Sequence, residues 1–178
     1  SVELFLDGRS LGEKRYEFPA QGTSGGWNRY ALRLVNPTTT DLHLTWDVPY
    51  APGVLRAVGK RRDGTAACTA EVRTAGTPAA VRLAADRDTI SAVPGDVAHV
   101  TFEIVDSAGT VVPTAGDLVR FTVTGGSIVA LDNANLQDHD PYRAEQRHAF
   151  NGRGLAILRA AQPGLLRLTS GADGLRDA

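Results

Sequence analysis

The chain is predicted to be all-β, built as two tandem antiparallel β-sandwich domains, and three observations carry that reading. Asp41 to Val48 alternates strictly, with Leu42, Leu44, Trp46 and Val48 on one face and Asp41, His43, Thr45 and Asp47 on the other, the two-residue period of a half-buried strand. Turn signals recur every ten or so residues throughout the chain. Thr74-Ala75-Gly76-Thr77-Pro78-Ala79-Ala80 is small, uncharged and broken by Gly and Pro, the composition of a seam between compact units. The expected domains are residues 1–75 and 76–178, and no stretch has the period of a long amphipathic helix.

In order, Val2–Leu6 is a strand running into Asp7-Gly8, a dipeptide suited to the positive φ of a two-residue hairpin turn, and Arg9 begins the return. Gln21–Gly26 is a breaker cluster, followed by an alternating strand Tyr30–Val35 that Asn36-Pro37 closes. After Asp41–Val48, the segment Pro49–Gly53 makes a rigid corner. Val54–Val58 is the next strand, Asp63-Gly64 turns it, and Ala67–Arg73 returns with Cys68 half-buried. Beyond the seam the pattern restarts with Val81–Leu83, a Pro94-Gly95 turn, Val97–Val105, an Asp106–Gly109 turn and Leu118–Val123. A strand from Ser127, then Leu155–Arg159 and Leu165–Thr169, complete the set.

Composition removes several functions. A net charge of -1 gives no clustered Lys/Arg footprint for phosphate, so nucleic acid is not an expected partner. No apolar run has the length needed to cross a bilayer, so no membrane partner is expected either. A single cysteine excludes a disulfide framework and a thiolate metal cage. The absence of methionine, including at the start, leads to the expectation that the chain is a piece of a longer protein.

One connection departs from the scaffold. From Asp132 to Gly152 the sequence gathers acids, amides, histidines, a tyrosine and arginines, and polar connections of this length are usually functional. Asp132, Asn133, Asn135, His139, Tyr142 and Arg147 are the candidate residues for contact with a ligand or a neighbouring domain. Amides and acids supply directional hydrogen bonds and Tyr142 a ring face, as carbohydrate recognition requires. The competing reading is that these side chains bond the loop's own backbone, with Asn133, His139 and Tyr142 facing outward. Calcium is disfavoured because Ala134 and Leu136 stand where oxygen ligands should be. His139 and His148 lack a third ligand at metal spacing. No metal, cofactor or catalytic residue is assigned.

The segments 2–12, 44–53 and 72–76 together resemble the immunoglobulin-like module that follows the catalytic barrel in β-galactosidases of glycoside hydrolase family 2. Val119-Arg120-Phe121, Ile128-Val129-Ala130-Leu131-Asp132-Asn133 and Arg147-His148-Ala149-Phe150-Asn151-Gly152 resemble the last module of the same enzymes. Asp7-Gly8 replaces the usual Asn-Gly, Ala134 stands where Gly is frequent, and Asp140 where Glu is common.

The resemblance implies two immunoglobulin-like domains, the first lacking its opening strand, and a non-catalytic accessory role. The parent enzyme would hydrolyse terminal β-galactosides with retention. The partner it implies is the catalytic barrel of the same polypeptide, with carbohydrate and oligomer contacts as further roles, and a periplasmic or secreted location. Retaining hydrolysis needs two carboxyl groups about 5–5.5 Å apart. Glu3, Glu13, Glu17, Glu71, Glu103 and Glu145 sit on separate strands or loops, with no alternating β/α pattern to form a barrel. The alternatives are a carbohydrate-binding module and an adhesin-like stalk, since Asp106–Pro113 also resembles bacterial surface immunoglobulin-like repeats.

Overall fold

The computed structural model describes residues 1–15, 43–93 and 95–178. It is all-β among those residues, every strand pair is antiparallel, and the chain divides into two compact units, Ser1–Thr74 and Ala75–Ala178. The breaker cluster at 21–26, the expected strand at 30–35 with its Asn36-Pro37 end, and Pro94 lie outside the described residues.

Among the described residues, unit 1 contains one sheet. Strand β1 (Val2–Leu6) turns through Asp7-Gly8 into β2 (Arg9–Lys14), with Leu6 opposite Arg9. Asp7 and Gly8 have φ of 48° and 82°, the left-handed pair that a two-residue turn matched to strand twist demands. The Asp7 backbone N–H donates to Val54 O at 2.9 Å and its carboxylate accepts from Val54 N at 2.7 Å, so the turn also anchors the next strand. Strands β3 (Val54–Lys60) and β4 (Ala66–Arg73) complete the order β2-β1-β3-β4.

Two expectations need correction here. Residues 43–50 form no strand, although their alternation survives as burial: Leu44, Trp46 and Val48 are half-buried while His43, Thr45 and Asp47 are exposed. Alternation reports which side chains find cover, not whether the backbone is paired. Cys68 is exposed, because every residue of β4 is exposed. It lies opposite Gly59, where a Cβ would come within 2.7 Å of Cys68 Sγ, so the thiol covers its glycine partner across the ladder.

Unit 2 has two sheets that share one core. The first runs β5 (Ala80–Ala85), β6 (Ala98–Val105), β10 (Arg153–Ala160), β8 (Gly126–Asp132). The second runs β11 (Arg167–Gly171), β7 (Leu118–Thr124), β9 (Gln146–His148). Along β6, Ala98, Val100, Phe102 and Ile104 are buried while His99, Thr101 and Glu103 turn outward. Phe102 meets Phe121 of β7 edge-to-face at 5.1 Å and 63°, an aromatic geometry worth about 1 kcal/mol beyond the area it buries. On the outer face Glu103 stands in register between Arg82 and Arg153, at 2.6 and 3.1 Å. Burial opposes its ionisation, but the two guanidiniums together hold its pKa below the ordinary glutamate value.

The seam is less loose than its composition suggests. Ala75 packs against the core of unit 2 and Ala80 is a buried residue of β5. Gly76 N donates to the Asp106 carboxylate at 2.8 Å, and that carboxylate also accepts from Ala108 N and Thr110 N. Leu165 and Leu166, expected in the last strand, precede it. At the far end Val81 N donates to Arg176 O and Arg176 N to Ala79 O, so the two ends of unit 2 are stitched together. Residues 75–178 expressed alone are therefore expected to unfold in a single cooperative transition, checked by coincident circular-dichroism and fluorescence curves.

Candidate functional site

The polar connection leaves the first sheet of unit 2 at Asp132 and enters the second at Gln146, so it bridges the two layers. Arg147 is the middle residue of β9, opposite Val119. Strand alternation turns it inward, and it is 1% exposed. A cation so placed needs partners, and the loop supplies them. Nη1 donates to Asp140 O at 2.5 Å, Nε lies 3.2 Å from Asp138 Oδ2, and Nη2 lies 3.8 Å from Asp132 Oδ1. The Nε–H is not aimed along the line to Asp138, so that contact is a charge pairing without a hydrogen bond. The guanidinium also lies 5.0 Å from the Tyr142 ring centroid, within cation–π range.

Around Arg147 the loop ties itself down at alternate residues. Asp132 Oδ1 accepts from Asn133 N and Ala134 N, Asn133 Oδ1 from Asn135 N, Asn135 Oδ1 from Gln137 N, and Asp138 Oδ1 from Asp140 N. These are Asx turns, in which a short side chain imitates a backbone acceptor two residues on. Asn133 adds two bonds from its amide, to the Asp138 carboxylate and to His148 O. Asp140 Oδ2 meets His148 Nδ1 at 2.7 Å. Leu131 N donates to Tyr142 O and Phe121 N to Glu145 O, which fastens the loop to both sheets.

The candidates therefore separate. Asp132, Asn133, Tyr142 and Arg147 come together; Asn135 caps a turn half-buried, and His139 is exposed. Asn133, expected to face outward, is 6% exposed and its amide is used internally. Arg147 offers no donor to solvent, because it faces into the protein. Asp138, Asp140 and His148 are the partners that the candidate set omits, and the signal for them was the alternate spacing of Asp138 and Asp140. Two aspartate carboxylates and the Asp140 carbonyl converge on one guanidinium rather than on a metal ion, and among the described residues no group of three or more His, Cys, Asp or Glu could hold a metal.

Residues 81–178 match the family described as glycoside hydrolase family 2 C-terminal domain 5. The chain belongs to that family. Residues 1–68 match a domain of unknown function, DUF4982. A β-galactosidase of Bacteroides ovatus, BoGH2A, is 34% identical across 99% of the chain, which covers 18% of that protein. A glycosyl hydrolase family 2 member from Bacteroides cellulosilyticus superposes with a TM-score of 0.80 at 32% identity, over 99% of this chain and 22% of its own. A β-glycosidase from Bacteroides vulgatus gives 0.80 at 27% identity, over 99% and 20%. The chain thus spans about a fifth of the length of these relatives.

Two expected results follow for this family 2 C-terminal domain. Ala134 has φ of 61°, a left-handed conformation that costs a residue with a Cβ about 1–2 kcal/mol, whereas glycine adopts it freely at an entropic cost of about 0.5–1 kcal/mol. Ala134→Gly should accordingly raise stability by about 0.5 kcal/mol, read as a higher urea midpoint with unchanged slope.

The second concerns acid. The Asp140 backbone N–H, then Asn133 and Arg147, hold the Asp138 pKa below the ordinary aspartate value of 3.8 despite desolvation; His148 does the same for Asp140. Backbone N–H groups of Gly76 and Thr110 lower Asp106. Because the folded values lie below the unfolded ones, their stabilisation is complete above about pH 4 and is lost as pH falls through the folded values. Melting temperature should stay level between about pH 7 and 5 and drop below about pH 4, with a shallower drop in Asp106→Asn.

Proposed function

We propose that this chain is the non-catalytic C-terminal accessory region of a retaining β-galactosidase, two immunoglobulin-like modules that support the catalytic barrel or its assembly. The observation that carries the reading is the alignment of almost the whole chain, at 34% identity, with about a fifth of a β-galactosidase. The carboxylates add physical support. A glycosidase acid must keep its proton near neutrality, which requires a raised pKa. Glu3, Glu13, Asp63, Asp86, Glu103, Asp106, Asp138 and Asp140 are instead held below their ordinary values by hydrogen bonds and cationic partners. Glu3 and Glu13 share Lys60 at 2.6 and 2.9 Å, an arrangement that keeps both ionised. A location in the periplasm or outside the cell suits the reading.

The test compares the purified chain with its parent enzyme. The chain alone should give no turnover of an aryl β-galactoside. The parent truncated before Ser1 should keep its catalytic carboxylates yet inactivate at lower temperature than the intact enzyme. Turnover by the isolated chain, or a truncated parent as heat-stable as the whole, would overturn the proposal.

A further inference from the structure

Tyr142 is 61% exposed, yet its position is fixed. Arg147 covers one face of the ring from a buried and multiply paired position, and the Tyr142 carbonyl is held by Leu131 N at 2.7 Å. A ring restrained in this way presents its remaining face with little rotamer freedom left to lose on binding. Asp132 follows Leu131 at the end of β8. Its Oδ1 accepts from two backbone N–H groups and lies 3.8 Å from Arg147. The side chain is 48% exposed, and Oδ2 makes no hydrogen bond within the described residues.

The geometry points to a carbohydrate-binding site on unit 2, in which the open face of Tyr142 stacks against a galactopyranoside and Asp132 Oδ2 accepts from its hydroxyls. The choice of sugar rests on the reading that the parent acts on galactosides. The chemistry of the two groups matches a hexopyranose. The axial O4 of galactose leaves a continuous C–H surface on one side of the ring, which suits an aromatic plane. Adjacent hydroxyls are donors for a carboxylate that has already met its backbone obligations on the other oxygen. The cation beneath Tyr142 draws the ring's electron density away from the open face. The stack is therefore held by dispersion and desolvation more than by the ring quadrupole, and the phenol hydroxyl is dispensable.

The test is a titration of the whole purified chain with methyl β-D-galactopyranoside, followed by two-dimensional amide NMR. Saturable shifts are expected at Leu131–Ala134 and Tyr142, with a millimolar dissociation constant. Tyr142→Phe should bind within about two-fold of the native chain, and Tyr142→Ala about ten-fold more weakly, the factor equivalent to 1.4 kcal/mol. Asp132→Asn preserves the acceptor for Asn133 and Ala134. It should weaken binding without loss of fold, and it decides the matter where Tyr142→Ala is unstable. No saturable shift up to roughly 100 mM sugar, or equal affinity in the native and both Tyr142→Ala and Asp132→Asn chains, would overturn the site. If the titration is flat while truncation still lowers the parent's heat stability, the sugar site falls and the accessory role stands. If the sugar binds while truncation is harmless, the reverse holds.

Discussion

Arg147→Met should destabilise unit 2 by about 3 kcal/mol, and the damage should centre on residues 133–146. The substitution keeps the stem and removes the charge, so what is lost is the anchor that Asp140 O, Asp138, Asp132 and the Tyr142 ring converge on. Truncating one member of a buried ion pair typically costs about 3–5 kcal/mol because the other is left unpaired. The lower figure applies because Asp132 is half-exposed and can rehydrate. Lysine should recover little, since one ammonium cannot reproduce a planar fork that spans a carbonyl, two carboxylates and a ring. The measurements are thermal unfolding and amide hydrogen exchange. A fall in melting temperature of more than about 10 °C, with exchange accelerated first between residues 133 and 146, is expected. A variant within a degree or two of the native chain would show that the Asx turns hold the loop unaided.

Gly154→Ala should be costly for the addition of a single methyl. Gly154 lies opposite Phe102 in the β6–β10 ladder, and a Cβ there would come within 2.1 Å of Phe102 Cζ. The ring cannot swing aside: it is fully buried and stacked edge-on against Phe121. Overpacking of this kind costs about 1–3 kcal/mol, or roughly 4–8 °C per kcal/mol in a unit of this size. The collision is with one side chain, so it should be relieved by shortening that side chain. Phe102→Leu alone leaves a cavity, Gly154→Ala alone a clash, and the double variant should be more stable than the sum of the two single losses by at least about 0.5 kcal/mol. Strict additivity in urea unfolding would mean that the backbone, not the ring, absorbs the added methyl.

Local chemistry specified most of the described strands and their turns. Asp7-Gly8 could close a hairpin only through a left-handed pair, and it does. The Val-His-Thr-Glu alternation of residues 97–103 already separated the core face of β6 from its charged face. Residues 2–6 and 118–123 read as strands for the same reason, because a period of two needs no tertiary information. The loop was legible as unusual in its polarity and length, and its capacity for Asx turns was written in alternate Asp and Asn residues.

What local pattern could not decide was direction and partner. Arg147 and Asn133 read as surface residues by type, but a buried cation depends on carboxylates nine and fifteen residues away in sequence arriving at one point, and only the bridging of two sheets brings them there. Cys68 read as half-buried, yet its strand is exposed throughout. Burial of a strand face depends on what packs over it, which no single strand encodes. The sequence by itself determined an antiparallel β scaffold, its turns and one polar connection. The tertiary structure decided that this connection folds inward around Arg147 and leaves Tyr142 and Asp132 at its surface, because paired charges can be buried only where the fold assembles their partners.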